Sequence, residues 1–187
     1  MQTIRQRLHA LLLLAALTIS PAVPASAAGS LPFTDVDPSE WYYTYVQDLY
    51  DAGIVDGVTS TAFRPEGTVT FGQALKLVLM AAGYENQAPT GPHWAGGFYD
   101  LAQREGLLPS GLNLGLDDAI TRLEIAEITV LAMDLSRTSQ DPSPFDDTDA
   151  EAALILWDHG IFEGSASGDQ ILFQPQDDIS RAEITTV

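Results

Sequence analysis

The chain has 187 residues, no cysteine, and 26 acidic against eight basic residues, for a formal charge of −18. That length suits one compact domain or a few small modules, with enough chain to bury a core without disulfides or metals. The charge argues against nucleic-acid binding, since little here could neutralise phosphates, and the lack of cysteine excludes thiol catalysis and Cys-ligated zinc.

The first element in chain order is a leader. Arg5 and Arg7 precede the apolar run Leu11 to Leu17, Pro21 and Pro24 break it, and Ala25-Ser26-Ala27 gives a small-x-small cleavage pattern. This order predicts a secretory signal peptide over residues 1–27. The apolar run is too short for a bilayer, which takes about 20 residues, and no later run approaches that length. Cleavage would leave 160 residues with six basic and 26 acidic side chains, a net of −20.

The remainder reads as three copies of one pattern. Copy one carries Phe33-Thr34-Asp35-Val36, Trp41, Gly53 to Gly57, Phe63-Arg64-Pro65 and Thr70 to Gln73. Copy two carries Trp94, Gly106, Leu114-Gly115-Leu116 and Thr121 to Glu124. Copy three carries Phe145-Asp146-Asp147-Thr148, Gly160 to Gly164, Phe173-Gln174-Pro175 and Ser180 to Glu183. Gly53, Gly106 and Gly160 fall 53 and 54 residues apart, and each loop's first apolar landmark precedes the Thr or Ser by seven. Polar, Pro-containing stretches around 85–92 and 136–144 read as linkers. The copies are therefore placed at 28–86, 87–140 and 141–187.

Each copy predicts helix, loop, helix. In copy one Asp37 is positioned to cap, Pro38 suits the first helical position, and Trp41, Tyr45 and Leu49 share a face that reads as core. Copy three offers Thr148 to Glu151 as a capping box. The three glycines end the first helices, because only glycine enters the left-handed region cheaply. Thr70…Gln73, Thr121…Glu124 and Ser180…Glu183 are capping boxes for the second helices, with staples Val69/Ala74, Ile120/Ile125 and Ile179/Ile184. The second helices run to about Tyr84 and Met133, while the third is expected to be short.

Arg122 and Arg181 stand at the first helical position, where the macrodipole mildly disfavours a cation. A guanidinium beside free helix N–H groups would recognise a carboxylate or phosphate; a surface ion pair is the alternative. The ordered set Phe-x-Asp-Val, Trp, Gly-Ile-x-x-Gly, Phe-x-Pro and Thr-Arg-Ala-Glu resembles the S-layer homology domain, here in triplicate from Phe33 to Val187. The resemblance implies an all-α fold, three helix-loop-helix repeats packed as a pseudo-three-fold bundle, the third truncated. It implies non-covalent anchoring of an exported protein to the cell wall through a secondary cell-wall polysaccharide, often pyruvylated, in grooves between repeats.

Carried over residue by residue, the implied ligand contacts are Arg122, Arg181, Trp41, Trp94, Asp35 and Asp146, with Thr121 and Ser180 opening the same motif. Copy one has Phe71 in place of the arginine, copy three has Thr148 in place of the tryptophan, and copy two lacks the Phe-x-Asp-Val entry, so at most two grooves are expected to work. The alternatives are a protein-partner module at the cell surface and the front of a longer enzyme. No nucleophile motif or isolated acid pair stands out, and no catalysis is expected in these residues. Calcium binding at Asp35 or Asp147 fails because an EF-hand loop needs glycine where Glu40 and Ala152 stand. No cofactor, metal or nucleic-acid partner is expected.

Overall fold

The computed structural model describes residues 30–187; the leader lies outside them. Six helices and one short ribbon follow in order: α1 Tyr43–Asp51, α2 Phe71–Ala81, α3 Gly96–Glu105, α4 Arg122–Met133, α5 Glu151–Asp158, β1 Ser165–Ser167, β2 Gln170–Leu172 and α6 Arg181–Ile184. The fold is thus mostly helical, and none of these helices is long and apolar enough to cross a membrane. The antiparallel ribbon pairs Ser165 with Leu172 across a turn at Gly168. It occupies what the sequence reads as plain loop, because Ser165-Ala166-Ser167 carries no alternating apolar signal.

The first helices α1, α3 and α5 end alike. Gly53, Gly106 and Gly160 take φ of 70°, 71° and 66°. The next residue donates its N–H back to a carbonyl five positions earlier: Ile54 to Leu49 at 2.9 Å, Leu107 to Ala102 at 2.8 Å, Ile161 to Leu156 at 2.9 Å. This is the Schellman ending, and it turns the chain sharply into the loop.

The second helices α2, α4 and α6 also start alike. Thr70, Thr121 and Ser180 are extended N-caps, each accepting from the N3 amide while the N3 side chain accepts from the cap amide. The staple residues Val69, Ile120 and Ile179 are fully buried, and their backbones join in a closed ring. Val69 N–H donates to Ile179 at 3.0 Å, Ile179 N–H to Ile120 at 3.4 Å, and Ile120 N–H to Val69 at 3.2 Å. Around this ring one core runs through Phe71, Leu75, Phe98, Ile125, Leu156 and Phe173. A second core holds Phe33, Tyr42, Val46, Val55 and Phe63, closed by Ala182 from the far end of the chain.

Three local expectations need correction. Helix α1 begins at Tyr43 without a side-chain cap; Asp37 instead accepts from the Ser39 amide and hydroxyl in a preceding turn. Helix α5 is capped by Ala150 with no side-chain bond, and Thr148 Oγ1 accepts from the Ala150 amide two residues on, so no capping box forms. Trp41 and Tyr45 are 59% and 50% exposed, while Tyr42 and Val46 are buried. The apolar spacing was real but the buried face is the one beside it, since Tyr42 and Val46 are also a helical turn apart.

Candidate functional site

The ends of α4 and α6 position the two arginines, and they leave no helix N–H free. Arg122 and Leu123 donate their amides to Asp177 and Pro175 of the third copy's loop, at 2.9 and 3.2 Å. Arg181 and Ala182 donate to Gly67 and Pro65 of the first copy's loop, at 2.9 and 2.8 Å. In α2, Phe71 and Gly72 donate to Asp118 and Leu116 of the second copy's loop, both at 2.9 Å. Each second helix is therefore sewn to the next loop by its first two amides, and the expected anion seat on open helix amides is already filled by carbonyls.

The arginine side chains follow the same seams inward. Arg122 is 5% exposed; its Nε donates to the Phe173 carbonyl at 2.8 Å and its Nη1 to Glu183 at 2.9 Å, with the guanidinium 4.6 Å over the Phe162 ring. Arg181 is 8% exposed; its Nε donates to the Phe63 carbonyl at 2.7 Å and its Nη2 to the Asp56 carbonyl at 2.8 Å, with the guanidinium 4.4 Å over Phe63. Burial draws both guanidiniums below the ordinary arginine pKa, opposed by Glu183, Asp177 and Asp147 for Arg122 and by Asp35 and Asp56 for Arg181. Neither is the surface ion pair considered from sequence: both are buried and bonded to backbone carbonyls. Phe71, in the corresponding place, is buried and meets Tyr99 edge to face at 6.1 Å.

Each arginine still reaches the wall of a cleft. The Arg181 cleft, about 230 Å³, is lined by Arg181, Lys76, Gln73, Trp94 and the loop Ile54–Val58. The Arg122 cleft, about 400 Å³, is lined by Arg122, Glu183, Trp41, Tyr45 and residues 160–165. The composition follows one rule: arginine from one copy, loop from the next, tryptophan from the remaining one. The arginines and tryptophans named from sequence line these clefts, and so does Lys76, which the sequence reading does not name. Lys76 lies six residues after Thr70, where copies two and three carry Glu127 and Thr186, and that comparison across copies would have found it.

The charges of the two clefts differ. Beside Arg181 stand the neutral capping residue Gln73 and Lys76, whose Nζ lies 2.6 Å from Asp56 Oδ2. Asp56, more exposed than Lys76, lines the same cleft and offsets one of its two positive charges. Beside Arg122 the capping residue is Glu183, which already holds the guanidinium. At the third equivalent place Phe71 replaces arginine and the helix carries Glu124 and Glu127. Burial and the neighbouring Glu124 charge push the Glu127 carboxyl up.

The remaining candidates line neither cleft. The Asp35 carboxylate grips the Phe63 and Arg64 amides, both at 2.8 Å, and so fixes Arg64 at φ 59°. Burial would raise its pKa, but those amides and the Arg181 charge hold it below the usual aspartate value. The residue that does this in copy three is Asp147, not Asp146. Asp147 accepts from Phe173 at 2.8 Å and from Gln174 at 2.7 Å, with Gln174 at φ 59°. Asp146 accepts from the exposed Ile171 amide at 3.1 Å. Counting two residues on from Phe33 and Phe145 reaches Asp35 and Asp147, so Asp147 and not Asp146 is the counterpart of Asp35. Thr121 and Ser180 spend their hydroxyls on capping.

Comparison with known proteins bears on this arrangement. Residues 32–75 match the S-layer homology domain. That match contains Asp35, Trp41, Phe63 and the Thr70 capping box. The chain is also similar to an endoglucanase of Bacillus sp. (strain KSM-635), 25% identical over 201 residues that cover 95% of the chain and 21% of that protein. It is similar to a surface-layer 125 kDa protein of Lysinibacillus sphaericus, 28% identical over 61% of the chain and 11% of that protein. A cell surface protein of Thermoanaerobacter kivui is 31% identical over 55% of the chain and 13% of its own length. The chain thus spans about a fifth or less of these relatives.

Proposed function

We propose that this region is a wall anchor of an exported cell-surface protein, built from three S-layer homology repeats in a pseudo-three-fold bundle. It grips an acidic glycan in the Arg181 cleft. The observation that carries the reading is the pairing of two cations with an exposed tryptophan in one crevice. Arg181 and Lys76 present positive charge; Trp94, 45% exposed, presents a ring for a sugar face. His93 steadies that tryptophan. Its Nδ1 accepts from the Ala95 amide at 3.1 Å, its Nε2 faces Asp117 at 3.1 Å, and its ring lies 5.6 Å from the indole. A carboxylate on a sugar ring, such as a pyruvyl ketal of a secondary cell-wall polysaccharide, matches this chemistry. The cyclic backbone ring through Val69, Ile179 and Ile120 supports the three-fold packing.

The region is read as a binding module, not an enzyme. Several of its carboxylates are committed to backbone amides, including Asp35, Asp147 and Asp158.

The test is sedimentation of residues 28–187 with purified cell walls, before and after acid removal of wall polymers. Lys76→Ala separates binding from folding better than an arginine variant, because the carboxylate it releases, Asp56, is exposed and leaves no buried charge without a partner. Binding that disappears on stripped walls and falls about tenfold in Lys76→Ala is the expected result. Equal retention of wild type and variant would sink the cleft, and retention on stripped walls would point to peptidoglycan instead.

A further inference from the structure

His93 sits where separate parts of the chain meet. Its ring packs against the start of α2, where a Cβ added at Gly72 would lie 3.3 Å from the ring's Cε1. It lies 5.6 Å from the exposed Trp94 indole and is tilted 34° to it. Both ring nitrogens are engaged, in opposite senses. Nδ1 accepts from the Ala95 amide at 3.1 Å, so it is the bare nitrogen and the neutral ring carries its proton on Nε2. Nε2 therefore donates to Asp117 Oδ1 at 3.1 Å.

Protonation treats the two contacts differently, because an imidazolium is a donor at both nitrogens. The Asp117 contact survives; the Ala95 contact becomes donor against donor and is lost. Ala95 is the N-cap residue of α3, is fully buried, and its amide has no other acceptor among the described residues. Asp117 is 85% exposed, so water screens what the ion pair returns. Trp94 stands between His93 and Ala95, so the turn closed by this bond is the one that places the indole on the wall of the Arg181 cleft.

The charged groups on the elements around the ring are few. The second copy's loop carries Asp117 and Asp118, and Asp118 Oδ2 accepts from the Gly115 amide at 2.7 Å. Helix α3 carries Asp100, held by Thr90 Oγ1 at 2.6 Å, with Arg104 and Glu105 at its far end. Helix α2 carries Lys76, a turn beyond Gly72.

We propose that His93 is a proton-sensitive latch on Trp94. Neutral, it holds the indole on the cleft wall; protonated, it lets go of Ala95 and unseats the indole. The consequence for glycan binding rests on the reading of the Arg181 cleft, and the latch itself does not.

Nitrogen-15 NMR of residues 28–187 tests the latch without any ligand. At about pH 8 the His93 ring should show the Nε2–H tautomer. As pH falls to about 5, the protection factor of the Ala95 amide should drop at least about tenfold and the Trp94 indole signal should move, both with the midpoint of the His93 ring signals. His93→Asn keeps an acceptor two residues before the Ala95 amide but does not titrate, so it should hold both signals level. Titration of His159, which faces the Ser136 carbonyl at 3.0 Å, should move neither. Wall sedimentation reads the consequence: relative to His93→Asn, the wild type should bind about fivefold more weakly at about pH 5 than at about pH 7.5. An Ala95 amide that stays protected through the His93 titration, or a His93→Asn protein that responds like the wild type, would overturn the latch. Signals that move as expected while wall binding stays level would keep the latch and sink the reading of the Arg181 cleft instead.

Discussion

Replacing Arg181 by alanine should be costly to the fold before it is costly to any ligand. The guanidinium donates to the buried Phe63 carbonyl at 2.7 Å and to the partly buried Asp56 carbonyl at 2.8 Å, and it lies 4.4 Å over a ring that is 1% exposed. Losing the donor to a buried carbonyl costs about 1–3 kcal/mol, and the partly wet one about 0.5–1.5 kcal/mol. The cation–ring contact adds about 1 kcal/mol. The sum is about 3–5 kcal/mol, a large share of the roughly 5–15 kcal/mol that holds a domain folded. At about 2–4 °C per kcal/mol for a chain of this size, the midpoint should fall by about 6–20 °C. Differential scanning calorimetry of residues 28–187 measures this directly. Arg181→Lys should recover little, because a point-like ammonium cannot span both carbonyls as a planar fork does. A shift under about 2 °C for Arg181→Ala would show the side chain to be loosely held and the seam argument mistaken.

Three further outcomes follow from the same geometry. Raising sodium chloride from about 0.05 to 0.3 M should leave wall binding unchanged or strengthen it, since the chain and an acidic polymer repel at long range and salt screens that repulsion; a tenfold loss in the sedimentation assay would mean that long-range attraction drives binding. The Asp35 carboxyl has a depressed folded pKa, so its stabilisation is complete above the unfolded value of about 3.9 and disappears as pH falls through the lower folded value. Asp35→Asn should therefore flatten the acid limb of a denaturation profile below about pH 4, and an unchanged limb would count against the clamp. Asp147→Ala should cost about 2 kcal/mol in urea titration and Asp146→Ala under about 1, because only Asp147 holds two amides beside a left-handed residue; the reverse order would restore the original register.

What could be read from the sequence was local and short-range. Capping boxes and left-handed glycines are fixed by neighbours within five residues, so Thr70, Thr121, Ser180 and the three helix-ending glycines behave as their spacing implies. The start of α1 was not legible, because Asp37 had two local uses and the tertiary core chose Tyr42 over Trp41 as the inward ring. The arginines stand out at the first helical positions, but the contacts that bury them do not. Their partners, the Phe63 and Phe173 carbonyls, lie 118 and 51 residues away, and no periodicity reports such a distance. Lys76 does not stand out in isolation; comparison with Glu127 and Thr186 marks it, and the fold brings Asp56, Arg181 and Trp94 around it.

The ring through Val69, Ile179 and Ile120 has a consequence for how the chain melts. A linear array of modules can fray from an end, losing one unit while the others persist. Here the last strand-like contact returns to the first, so detaching any one module opens two of the three junctions and strips backbone partners from both survivors. Denaturation of the described residues should accordingly be a single all-or-none event, with no stage at which one of the three ring segments melts alone.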